Sequence, residues 1–184
     1  MFVLSLVVLT GCRESPEMAY VSSAQVQALE PEIQRELRSE LRSRVGTFEN
    51  PELLSRDPRS QIRLEQGQAV YELRCVQCHG TSGDGNGRMA QVLYPRPRDY
   101  RRGIFKFTST PYGLRPARAD LIRTIRNGVR GTSMPEFKLL PEDEIEAVAD
   151  YVVYLSQRGE LEEQLAQASI PQKQIKRDYF PGYD

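Results

Sequence analysis

The stretch "RCVQCHGTSGDGNG", Arg74 to Gly87, decides how the rest of the chain is read. It sets two thiols, Cys75 and Cys78, either side of two residues and puts His79 directly after the second. His79 is the single histidine of the 184-residue chain. A structural zinc site needs four ligands, and Cys75, Cys78 and His79 have no further histidine to complete them. A thioredoxin-type thiol pair expects a βαβ setting, and no alternating strand pattern surrounds this one. The remaining reading of Cys-x-x-Cys-His is covalent attachment of one haem c. Both thiols would bond its vinyl groups, and the adjacent His79 would be fixed beneath the ring as an iron ligand.

The opposite face of the iron is then assigned by elimination. No second imidazole exists, and four methionines remain. Met1 opens an apolar leader and Met18 lies in a polar stretch. Met89 ends the glycine-rich loop. Met134 sits in "GVRGTSMPEF", after Gly131 and before Pro135, which stiffens the loop. Met134 is the first candidate and Met89 the alternative; the ordinary use of either is to fill a gap in a core. Iron held by His79 and Met134 has no open position, so it passes electrons and binds no substrate. Methionine sulfur raises the potential relative to two histidines. No catalytic residue is assigned: a peroxidase or a gas sensor needs an open iron face, and with His79 used no distal base is visible.

Composition bounds the rest. Hydrophobic residues are 39% and charged residues 27%, which suits one packed core with extensions and is too polar for a multi-spanning membrane protein. The 25 basic and 25 acidic residues cancel, and no basic tract with stacking aromatics argues for nucleic acid. The third cysteine, Cys12, follows an apolar run from Phe2 to Thr10. That run is shorter than the ~20 residues a membrane span needs and has the length of a signal-peptide core. Leu9-Thr10-Gly11-Cys12 resembles a bacterial lipobox, although no Lys or Arg precedes the run. Residues 1–11 are therefore expected to be a lipoprotein-type signal. Cys12 would be lipidated and would hold the protein on the periplasmic side of a bacterial membrane. An ordinary secretory signal with an incidental cysteine is the plainer alternative.

The rest of the chain reads as all-α. Residues 12–58 form a tether and a helical extension, 59–158 the haem domain, and 159–184 a tail that begins helical and fades. In the extension, Pro31 suits a first helical turn and Gly46 a helix end. Leu29, Ile33, Leu37, Leu41 and Val45 recur every fourth residue and draw one apolar stripe. That stripe either lies on the chain's own haem domain or docks a partner subunit. A second helix runs from about Arg59 into the haem motif. Its mid-helix Gly67 costs roughly 1 kcal/mol relative to alanine and marks the close approach of another helix. A third helix, from Arg118, stops at Gly128. A fourth opens at Pro141 with acids at its positive end.

Taken together, residues 59–158 resemble a class I cytochrome c. "GQAVYELRCVQCHG" is similar to that family's first helix and haem motif, and "GDGNG" to the turn after it. "LIRTIRNGVRGTSMPEF" is similar to its middle helix and methionine loop, and "IEAVADYVVYLS" to its last helix. The resemblance implies that first and last helices cross at Gly67 and Tyr151. It also implies that a proline carbonyl, of Pro95 or Pro97, takes the proton of the proximal imidazole. Arg96, Arg98, Arg101, Arg102 and Lys106 then form a cluster for haem propionates or for an acidic partner face. The expected function is a membrane-anchored carrier of single electrons between a redox donor and a redox acceptor of a respiratory chain. The alternative is a fixed electron-transfer subunit of a larger complex.

Overall fold

Two helices cross so closely that only glycine fits between them. In the computed structural model, which describes residues 22–48, 50–54 and 58–169, these are α3 (Pro58–Arg74) and α6 (Glu142–Ser169). A Cβ on Gly67 would fall on the Ala147 carbonyl and crowd the Tyr151 Cβ at 3.1 Å. Tyr71 follows one turn later and packs its ring on Tyr151, with centroids 5.1 Å apart. The expected crossing is thus the spine of the molecule, and Leu64, Tyr71, Val148 and Leu155 fill the core around it.

Five further elements complete the order: α1 (Ala24–Gln27), α2 (Pro31–Val45), α4 (Val76–His79), a 3-10 turn (Ala90–Val92) and α5 (Arg118–Asn127). Among the described residues there is no strand, only an isolated bridge between Gly46 and Pro51. The fold is all-α. Asp150 on α6 draws two neighbours in, meeting Arg118 of α5 (Nε–Oδ1 2.5 Å) and Arg63 of α3 (Nε–Oδ2 3.2 Å).

The extension is where sequence and structure part. Helix α2 spans Pro31 to Val45 and ends on Gly46 in the left-handed region, as its composition dictates. Its stripe is not an open docking face, however. Ile33, Leu37, Leu41 and Val45 are buried and Leu29 half-buried, packed into the core that α6 supplies. A partner subunit therefore has no access to Leu29, Ile33, Leu37, Leu41 and Val45. The reason is the length of α6. It passes through Gly159 without a break, because Gly159 is a contact glycine whose missing Cβ makes room for the backbone of Arg101. Beyond it, Leu161, Leu165 and Ala166 are buried beneath the extension. The polar stretch before α2 also departs from a simple tether. Val26 of α1 is fully buried, and the Ser23 amide donates to Glu162 Oε2 at 3.3 Å. A four-residue helix has no period to reveal it. Arg158 Nη1 donates to the Gly46 carbonyl at 3.0 Å while its guanidinium lies over Phe48. Residues 1–21, with the expected signal and Cys12, lie outside the described residues, as does the end of the tail.

Candidate haem site

Helix α3 ends at the first thiol. At Cys75 φ opens to −116° while ψ stays at −33°, and α4 is the single turn that follows. The amides of Cys78 and His79 both donate to the Cys75 carbonyl, at 3.1 and 2.9 Å. This turn places the two thiols and the imidazole on the wall of one cavity of about 400 Å³. The glycine turn then folds back on it. Gly85 donates to the His79 carbonyl (2.9 Å), Gly87 to Cys78 (3.1 Å) and Met89 to Gln77 (2.8 Å). Carbonyls that a one-turn helix leaves open are thereby satisfied. Cys75 and Cys78 are free thiols. Burial pushes the Cys75 thiol up to about 12, so it stays neutral. Among the described residues no group of three or more His, Cys, Asp or Glu side chains is disposed to hold a metal ion by itself.

His79 Nδ1 lies 3.3 Å from the Arg98 carbonyl oxygen. A carbonyl only accepts, so Nδ1 carries the proton and Nε2 keeps its lone pair for a metal. Burial lowers the imidazole pKa, opposed by the Arg98 carbonyl, and holds the ring neutral, as ligation requires. The carbonyl is neither that of Pro95 nor that of Pro97. Both prolines line the cavity, but the Pro97 carbonyl faces Gly85, where a Cβ would meet it at 2.7 Å.

Met134 reaches the same cavity from a loop pinned to the end of α5. Its amide donates to Thr132 Oγ1 (3.1 Å), and its carbonyl accepts from Val129 (3.2 Å). Gly128 caps α5 in the left-handed region (φ 62°), and a Cβ there would strike the Met134 and Pro135 carbonyls. Met89 is 47% exposed and lies off the cavity wall. Leu121 and Ile125 of α5, with Val148 and Val152 of α6, make the interior apolar.

Residues 63–152 match the family model described as cytochrome C oxidase, cbb3-type, subunit III. That stretch is thus similar to a c-type cytochrome domain. A domain of that kind implies covalently bound haem c and one-electron transfer. A chain of the Kuenenia stuttgartiensis reducing HAO-like protein complex is also similar, at 28% identity and a TM-score of 0.49. That match covers 65% of the present chain and 48% of the other, so the chain spans about half of its neighbour's length. Among curated proteins none matches.

The cavity suits a haem. It falls in the volume range of pockets that enclose a small organic molecule. It is walled by apolar side chains and carries two thiols, a neutral imidazole and a thioether sulfur. Cations gather on the same wall. Arg96, Arg98 and Lys106 of the expected cluster line it, joined by Arg74, whose place beside Cys75 was the available signal. Arg101 instead pairs with Asp99 at 2.8 Å, and Arg102 lies off the wall. Two contributors had no sequence signal. Tyr100 stacks on the His79 ring, with centroids 4.6 Å apart. Asp120, buried at the start of α5, accepts from the Ser109 amide (2.8 Å), the Ala117 amide (3.1 Å) and Arg123 (2.8 Å), fastening the loop that runs past the cavity.

Proposed function

We propose that this cytochrome carries one haem whose iron is held by His79 and Met134. It would pass single electrons between respiratory partners on the periplasmic side of a bacterial membrane, anchored through Cys12. One observation carries the reading: Cys75, Cys78, His79 and Met134 share one apolar cavity, and Met89 does not. Haem iron, when bound, supplies a one-electron couple. The chain's own part would be to hold His79 and Met134 in the same positions in both oxidation states. Arg98 fixes the imidazole tautomer, the α5 loop fixes the sulfur, and Leu121, Ile125, Val148 and Val152 exclude water. Arg74, Arg96, Arg98 and Lys106 line the cavity and would supply counter-ions to haem propionates.

The optical spectrum, oxidised and reduced, with and without carbon monoxide, tests it. A weak near-red sulfur band in the oxidised protein and indifference to carbon monoxide are expected. Met134→Ala should lose the band, lower the potential and bind carbon monoxide. A variant that behaves as wild type would remove Met134 from the iron.

A second reading is favoured by the matched family, whose name is that of a subunit of a cbb3-type oxidase. In it the chain is a fixed electron-entry subunit of a larger complex. Extraction in mild detergent decides: a stable co-purifying complex supports the subunit, and a lone cytochrome the mobile carrier.

A further inference from the structure

The imidazole of His79 is gripped twice by one short run of chain. Residue 98 supplies the carbonyl that accepts from Nδ1, and residue 100 supplies a ring stacked 22° from parallel with the imidazole. A hydrogen bond to a single oxygen fixes the tautomer and one point of the ring. It leaves the ring free to rotate about the N–H···O line. A stacked neighbour within the 4.5–7 Å range of aromatic pairs resists that rotation. We propose that Tyr100 is a positioning residue that sets the plane of the His79 imidazole about its bond to an iron; the proposal rests on His79 being the iron ligand.

The surroundings are built for this. Tyr100 is 7% exposed, and Phe105 stacks on it 14° from parallel, with centroids 5.8 Å apart. The Tyr100 amide donates to the Gly83 carbonyl at 2.7 Å. On the next residue, Arg101 donates to Asp99 from its amide and from Nε, at 3.0 Å each. The "GDGNG" turn is the seat. A Cβ on Gly83 would meet Tyr100 Cδ2 at 2.9 Å, and one on Gly85 the Pro97 carbonyl at 2.7 Å. Both glycines lie in the left-handed region, so the turn accommodates the ring by composition as well as by space. A tyrosine that merely filled volume would need none of this registration with the imidazole.

The orientation of an axial imidazole splits the iron orbitals and is read directly in the electron paramagnetic resonance g-values of ferric low-spin haem. In the holoprotein, Tyr100→Phe should keep the wild-type g-values, because the ring remains. Tyr100→Leu should shift and broaden them while the near-red sulfur band persists. Wild-type g-values in the leucine variant, or an equal shift in both variants, would overturn the proposal. Where the leucine variant yields no holoprotein, nuclear Overhauser contacts between the Tyr100 and His79 rings decide. They are measured in the wild-type reduced form, which is low-spin and diamagnetic. Their presence supports the stack, and their absence overturns it. Failure of the paired-ligand reading is separate: it shows as a high-spin ferric spectrum in the unsubstituted protein.

Discussion

Gly67 shows how much one missing Cβ decides. Gly67→Ala would drive a methyl group into the Ala147 carbonyl and force α3 and α6 apart. The expected cost is that of overpacking a tight contact, about 1–3 kcal/mol, read as a lower urea midpoint. An unchanged midpoint would show that the crossing yields easily. This residue was legible because glycine inside a helix is costly and needs a reason. Cys75, Cys78 and His79 were legible because their chemistry is tied to residue type and spacing. The partner of His79 was not. Any residue offers a backbone carbonyl, so composition could point to prolines in the right segment but could not choose Arg98. Tyr100 escaped for a related reason: its stack depends on a loop path that no local pattern encodes.

Helix α2 owes its place to α6 rather than to its own propensity. Leu37 is fully buried between them. Leu37→Ala is expected to cost about 2–5 kcal/mol, measured by chemical denaturation. A loss below that range would mean the extension is only loosely applied. Helix α5 makes a different prediction. The Ser109 amide, ahead of the Ser109 hydroxyl and Arg123, holds the Asp120 carboxyl below the ordinary range. The unfolded chain therefore takes up that proton first, near the free value of about 3.9. The stabilisation is full above that pH and is lost as pH falls through the lower folded value. Asp120→Asn should flatten this acid limb of melting temperature against pH. Identical limbs in both proteins would sink the assignment. The four-residue spacing disclosed the face of α2 but not what covers it, since a buried stripe and a docking stripe share one pattern. The helical start of the tail was legible, but not the role of Gly159, because in sequence a contact glycine and a terminating glycine look alike.

For the whole molecule, no described helix is long and apolar enough to cross a membrane, and the attachment proposed above is through a lipid at Cys12. Cys12→Ser should move the protein from the membrane fraction to the soluble one; persistent attachment would point to a partner. The extra ten residues of α6 give that attachment a mechanical meaning. Val148 and Val152 face the cavity, whereas Glu162 receives Ser23, roughly 15 Å further along the same rod at 1.5 Å per residue. A pull on the N-terminus is borne first by Ser23 and by Val26 in its buried seat, at the end of α6 remote from the iron. Were the chain moored through Cys12 as proposed, such strain would be spent before it could tilt His79 or draw Met134 away, and the reduction potential would be insulated from motion of the surface.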